Sequence, residues 1–258
     1  MKIIRSLGRT IIERLGRGRI IKRRILVLKK LIPIFISPDA QLKYLKFGPD
    51  AFDRDLISLA EKYLSKSSHV WDVGANVGVF GFASSSIVHR GSVVLVEPDI
   101  WLASILIKTS RLKYYTNNEI SIIPAAISSK NSVETFMIAN RGRACNALKS
   151  AGGRSQMGGV RELQHVPTLT LDTVLESVSN PPDFVKIDIE GAELNAVNGA
   201  IRLINDIRPT FYIEVGGDVS SQIFTIFKLA GYKAFNIQGE RLLKKCAPNT
   251  LFIPNFSN

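Results

Sequence analysis

From His69 onward the chain switches repeatedly between two hydrophobic periods, and that switching limits its fold more than any other feature. His69–Val73, Ser92–Val96, Ile120–Ile123, Phe184–Ile189 and Thr210–Val215 read as short strands. Helical patterns occupy Val77–His89, Ile100–Lys113, Ala192–Asn205 and Val219–Ala230, with Gly91 and Gly231 as stops. Lys233–Ile237 and Thr250–Ile253 close the series with a hairpin-like link. Buried strands separated by helices hide their apolar residues in a parallel sheet covered on both faces, so the pattern predicts a doubly wound α/β sheet. An entry helix is expected over 47–66, capped by Asp50 or Asp53.

The alternation breaks over 130–170. Ser132–Ile138 and Gln164–Thr170 read as extended pieces around a Gly-, Ser- and Arg-rich stretch, 140–159. That stretch reads as a mobile loop whose Arg141, Arg143, Asn146 and Arg154 form a lid or clamp an acidic substrate; the competing reading is a set of solvated loop charges.

Charge divides the chain. Of a net +12, residues 1–46 carry 13 basic and 2 acidic residues, against 21 and 20 in residues 47–258. A near-neutral body preceded by a basic arm argues against a nucleic-acid groove across the body. Within the arm, Ile4, Leu7, Ile11 and Leu15 fall on one helix face, and Ile21, Ile25, Leu28 and Ile32 form a second stripe that Pro33 and Pro38 end. The expectation is a basic amphipathic helical arm whose residues 1–32 lie on an anionic membrane surface. A helix packed on the body, and a transit peptide, compete with it. No apolar run reaches the ~20 residues of a membrane span, and no secretory signal pattern precedes the body. Cys145 and Cys246 are too few for a disulfide scaffold, and no CxxC pair or HExxH offers a zinc site. Together these predict a cytoplasmic protein, peripheral at the membrane if the arm docks.

Doubly wound sheets bind ligands beyond the carboxyl ends of their strands, so the residues just after each strand carry the functional signal. After the first stands Asp72-Val73-Gly74-Ala75-Asn76-Val77-Gly78. Gly74 suits a tight turn against a ligand and Gly78 a close helix approach. Asn76 replaces the middle glycine of a dinucleotide fingerprint, and the preceding carboxylate of Asp72 suits a ligand with a positive amino group. After the second strand stands Glu97-Pro98-Asp99; Glu97 follows the glycine turn by about 20 residues, where an acid accepts the hydroxyls of a ribose. After the fourth stand Asp188, Glu190 and Glu193, of which Glu193 fits a helix N-terminus. Asp188 and Glu190 could take a proton from a substrate hydroxyl or share a divalent ion. Glu214 follows the fifth strand.

DVGANVG (72–78), VEPD (96–99), Thr168–Asp172, VKIDIEGAE (185–193) with Asn198-Gly199-Ala200, and Arg208-Pro209-Thr210 through Glu214 together resemble the FkbM family of S-adenosylmethionine-dependent methyltransferases. The resemblance covers roughly 47–255 and leaves the arm outside, so the chain divides into an arm, 1–46, and a methyltransferase domain, 47–258. It implies a Rossmann-like sheet of seven strands with the last antiparallel, and methyl transfer to a hydroxyl, often on a sugar, glycan or natural product. In the same way Asp72, Gly74, Ala75, Asn76 and Gly78 would line the methionine part of the cofactor, Glu97 would hold the ribose, and Ala125 and Ala126 would lie near the adenine. A base near the acceptor hydroxyl would help the reaction, with Asp188 the first candidate, Glu190 the second and His165 the third. A nucleic-acid methyltransferase is the weaker alternative, because Asn180-Pro181-Pro182-Asp183 precedes the fourth strand instead of following it. A nicotinamide oxidoreductase is disfavoured by the missing glycine, and a non-catalytic binding module by the intact turn and acidic strand ends.

Overall fold

A computed structural model describes residues 12–13, 15–48, 51–152 and 157–255. The first stripe of the expected arm, apart from its end, lies outside these residues; positions 12, 13, 15 and 16 are helical. The second stripe is not a helix. Residues 21–36 form an antiparallel hairpin of β1 (Ile21–Val27) and β2 (Lys30–Ile36), with Val27 opposite Lys30 and Ile21 opposite Ile36. Ile25, Val27, Ile32, Ile34 and Ile36 alternate along the strands and are all at most 2% exposed. The 3.6 and 2.0 periods share Ile21, Ile25 and Ile32 here, but β-branched residues at every second position satisfy the strand and bury five side chains. Leu28, a member of the helical stripe, sits instead in the two-residue turn, where it and Lys29 both take positive φ.

After this come α1 (Arg54–Tyr63), capped by Asp53 through Asp55 N–H, then β3 (Val70–Val73), α2 (Val79–Ile87), β4 (Ser92–Val96) and α3 (Ile100–Ser110). Next are β5 (Glu119–Ile123), β6 (Ala126–Ile127), β7 (Ser132–Ala139), β8 (Ala147–Leu148), β9 (Val160–Leu169), α4 (Leu171–Ser177), β10 (Phe184–Ile187) and α5 (Glu193–Asn198). The chain closes with β11 (Thr210–Glu214), α6 (Ser220–Leu229), β12 (Tyr232–Asn236), β13 (Arg241–Leu242) and β14 (Asn249–Pro254).

The main sheet has the order β5-β4-β3-β10-β11-β14-β12-β13. Its first five strands run parallel; β14 is antiparallel to both β11 and β12. The seven expected strands are all present with the last one reversed, and the two-residue β13 adds an eighth at the edge. From β3 the chain runs outward to β4 and β5, then returns to lay β10 on the other side. The β3–β10 boundary is therefore the switch point where such sheets open a crevice. The hairpin, α1, α2 and α3 share one apolar cluster on one face; α4, α5 and α6 cover the other. Thus residues 25–44, expected to stand apart as an arm, contribute Ile25, Ile34 and Tyr44 to the same core as Phe80 and Leu95.

The break in alternation over 130–170 is a second sheet, β6-β9-β7-β8. The expected helix 192–205 stops at Asn198, and Gly199 after it packs where a Cβ would lie 2.5 Å from the Ser128 carbonyl oxygen. The backbone resumes helical form through 201–207, where the Asp172 carboxylate accepts from Arg202 and Leu203 N–H, both at 3.0 Å.

Candidate active site

At the switch point lies a cavity of ≈ 300 Å³ whose walls include Asp72, Gly74, Ala75, Asn76, Glu97, Ala125, Ala126, Asp188 and Glu190. The sequence placed all of these at a binding site. Gly78 and His165 are not on its walls. Gly78 turns the chain into α2 with φ 83°, and a Cβ there would overlap Leu106 and Phe82, so its smallness serves helix packing. His165 lies exposed on β9, opposite Thr135 of β7, because the extended segment that carries it joined the second sheet.

The turn after β3 is made by close backbone approach. Gly74 and Ala75 N–H both donate to the Val96 carbonyl at 3.0 Å, and Asp188 N–H donates to Val73. Gly74 has φ 75°, and a Cβ there would sit 2.0 Å from the Asp188 carbonyl oxygen. No L side chain fits that place without moving β10. Asn76 takes a left-handed φ of 53° and turns its N–H onto Glu97 Oε2 at 2.7 Å. Its side-chain Oδ1 is buried with no hydrogen-bond partner among the described residues, an orphan acceptor in the cavity wall.

Glu97 is 5% exposed. Each carboxylate oxygen accepts one backbone N–H, from Asn76 on Oε2 and from Asp99 on Oε1 at 2.9 Å. A carboxylate oxygen has a second lone pair, so both can still accept from a ligand. Burial pushes the Glu97 carboxyl up to about 8, against the lowering effect of these two N–H bonds.

Asp72 departs from its expected role. The carboxylate is wholly buried, with Oδ2 accepting from Gly81 N–H at 2.9 Å and Oδ1 lying 3.0 Å from Lys186 Nζ. The cation it holds is a lysine of the chain. Lys186 Nζ also donates to the Gly74 carbonyl at 2.9 Å and lies 3.5 Å from Asp188 Oδ2. Burial alone would lower the lysine's pKa, but Asp72 and Asp188 outweigh it and hold Lys186 above the ordinary lysine range. Lys186 is therefore a fixed charge that ties the first acidic strand end to the fourth. A lysine in the four-residue, fully buried run Phe184-Val185-Lys186-Ile187 was the available signal, since lysine is almost never buried without a partner.

The rest of the wall comes from the segment after the hairpin and the cap of α1, which the sequence did not point to as a site, and from Glu214 and the 140–159 loop, which it did. Gln41, Lys43 and Tyr44, after the hairpin, and Asp53 at the cap of α1 line the cavity, as does Glu214. From the 140–159 loop come Arg143, Ala144, Cys145 and Asn146. Two of these residues are held in place. Arg143 pairs with Asp99 and, at 3.0 Å, with Asp39, and its guanidinium covers the Trp101 ring at 4.7 Å. Asn146 Nδ2 donates to Asp99 at 2.8 Å while its Oδ1 accepts from Ala139 N–H. Burial would raise the Asp39 carboxyl, but Arg161 and Arg143 hold it below the usual carboxylate value. Arg143 thus joins loop, arm and the start of α3 and is not a solvated charge. Arg154 lies outside the described residues.

Among the described residues no group of three or more His, Cys, Asp or Glu is placed to hold a metal ion, and no helix is long and apolar enough to cross a membrane. The cavity offers a polar turn and a carboxylate for an organic cofactor, and beside them the carboxylates of Asp188, Glu190 and Glu214.

A family model described as the methyltransferase FkbM domain matches residues 72–234. Among solved structures, the chain is similar to methyltransferase FkbM from Methylobacillus flagellatus, at 18% identity and TM-score 0.46 over 73% of this chain and 44% of that one. It therefore spans under half of that protein. It is also similar to Aeropyrum pernix fibrillarin with natively bound S-adenosyl-L-methionine, at 11% identity, TM-score 0.43, and 92% and 85% coverage. A SAM-dependent O-methyltransferase from Thermotoga maritima matches at 8% identity, TM-score 0.42, and 92% and 79% coverage. No curated protein matches the sequence.

Proposed function

The chain belongs to the FkbM methyltransferase family, and on that premise we propose that it moves a methyl group from S-adenosylmethionine to an acceptor hydroxyl on a sugar, glycan or natural product. The observation that carries the cofactor assignment is the pairing of Glu97 with the Gly74–Asn76 turn in one cavity wall. Glu97 keeps one free lone pair on each oxygen, which fits two vicinal hydroxyls. The orphan Asn76 Oδ1 lacks a donor, which an amino or hydroxyl group of a ligand would provide. Where a Cβ at Gly74 would overlap the Asp188 carbonyl, its absence keeps the turn closed down on the cavity floor. The residues present fit the group.

When bound, the cofactor supplies an electrophilic methyl carbon on a sulfonium. The chain's own work is placement and proton handling. Asp188, half-buried and 3.5 Å from Lys186 Nζ, would accept the proton of the acceptor hydroxyl. The lysine ammonium stays charged throughout and positions Asp188 against Asp72. Glu190 lines the same cavity and is the second candidate for the proton. Tyr44, Arg143 and Asn146 wall off the cavity and reduce the water that competes for it.

Calorimetry of the full chain with S-adenosylmethionine is expected to show saturable binding; no binding by folded protein overturns the cofactor half of the proposal. Incubation with methyl-labelled cofactor and fractionated cell extract tests the acceptor half. Label in a carbohydrate or small-molecule fraction, stable as an ether, supports it, and label confined to nucleic acid or protein overturns it.

A further inference from the structure

Among the described residues, the hairpin β1–β2 is anchored on one side and unmatched on the other. Its inward residues are in the core, while Leu26, Leu28 and Leu31 at its tip are 43%, 54% and 59% exposed. Leu26 and Leu31 face each other across the ladder, and Leu28 occupies the turn between them. The same outward ladder pairs Arg24 with Pro33 and Lys22 with Phe35. Lys22 and the exposed Lys108 of α3 both place their ammonium groups over the Phe35 ring, at 5.9 Å and 4.6 Å. Lys29 and Lys30 complete the rim, both exposed. Residues 15–38 hold seven basic side chains and no acidic one. The acid that touches the tip, Glu61, is engaged by Leu28 N–H at 2.7 Å.

We propose that this hairpin tip docks the protein on an anionic lipid surface, with Leu26, Leu28 and Leu31 entering the headgroup–acyl boundary and Arg24, Lys29 and Lys30 meeting lipid phosphates. Charge complementarity selects this occupant. A second copy of the chain would bring the same cationic rim against itself. Nucleic acid would satisfy the cations but leave three aliphatic side chains against phosphate and water, whereas the lipid boundary accepts both kinds of group in that order of depth. The turn also fits the role: Leu28 and Lys29 hold positive φ, which usually draws Gly or Asn, so a leucine is kept there at a backbone cost.

The test uses the full chain and sedimentation with vesicles of phosphatidylcholine with or without phosphatidylserine. The protein is expected to pellet with the anionic vesicles, weakly with the neutral ones, and less as salt rises. Replacing Leu26→Thr, Leu28→Asn and Leu31→Thr together keeps strand and turn propensities and is expected to lower vesicle partitioning by about tenfold or more. Arg24→Glu with Lys30→Glu is expected to lower it by about tenfold or more on anionic vesicles. The thermal midpoint and cofactor binding, measured on each variant, separate loss of docking from loss of fold. Leucine variants that pellet as the parent does overturn the proposal, as does a parent that fails to pellet. It is also overturned if charge reversal abolishes duplex DNA binding while vesicle binding is unchanged.

Discussion

The two ends of the cavity are built by different means. At one end a backbone turn does the work: Gly74, Ala75 and Asn76 fold onto the Val96 carbonyl and the Glu97 carboxylate, all within two strand ends and their following residues. At the other end side chains from distant parts of the chain converge: Tyr44 from the segment after the hairpin, Lys186 and Asp188 from β10 and its end, Arg143 from the loop of the second sheet. The first end has a short-range signature and hardly any tolerance for change. The second tolerates change in some members and not in others, depending on which charges are buried.

That contrast can be broken most directly at Gly74. Gly74→Val places carbon atoms inside the Asp188 carbonyl and is expected to abolish cofactor binding in calorimetry. A variant that binds normally would mean the turn is not closed as described. Next in size is Lys186→Met, which leaves the wholly buried Asp72 carboxylate without its cation and should destabilise the fold by about 3–5 kcal/mol in urea melts. Adding Asp72→Asn to Lys186→Met should recover part of that loss, since the buried charge is then removed too. Strictly additive effects would break the pairing.

A third prediction concerns pH. Burial pushes the Glu97 carboxyl up to about 8, so the free protein holds that proton at lower pH. Accepting two ligand hydroxyls requires the ionised form, so binding below pH 8 must release a proton. Cofactor affinity is then expected to rise about tenfold per unit as pH climbs toward 8 and to level off above it. Glu97→Gln should bind more weakly and without that slope. The smallest effect is expected at His165. His165→Ala should leave turnover within about twofold, because the ring lies exposed on β9 and off the cavity wall; a large loss would restore it as a base.

How much could be read in advance follows the same division. The glycine turn, Glu97 and the cap of α1, narrowed to Asp50 or Asp53, are legible because their signals are local: a tight turn, an acid at a strand end, a cap. Asp188 and Glu190 were legible as positions, since both follow a recognisable buried strand. The Lys186 partner of Asp72 is not legible, because the lysine is far away in sequence. The hairpin was misread because Ile21, Ile25 and Ile32 serve both a helical and an alternating pattern. Which pattern wins depends on whether a core exists to take Ile34 and Ile36. Arg143 was assigned to a mobile loop on composition, and composition says nothing of Asp39 and Asp99 waiting at the other end of its guanidinium.

By itself, then, the sequence determined the alternation of strands and helices that makes the sheet, and the glycine turn and acidic strand ends that line the cavity. Those depend on backbone conformation and on burial periods that recur within a few residues. Tertiary structure decided the strand order and its switch point, what residues 21–36 become, which cation Asp72 holds and which distant residues complete the cavity wall. Those depend on contacts between segments far apart in the chain, whose energy comes from desolvating and pairing groups that no local pattern brings together.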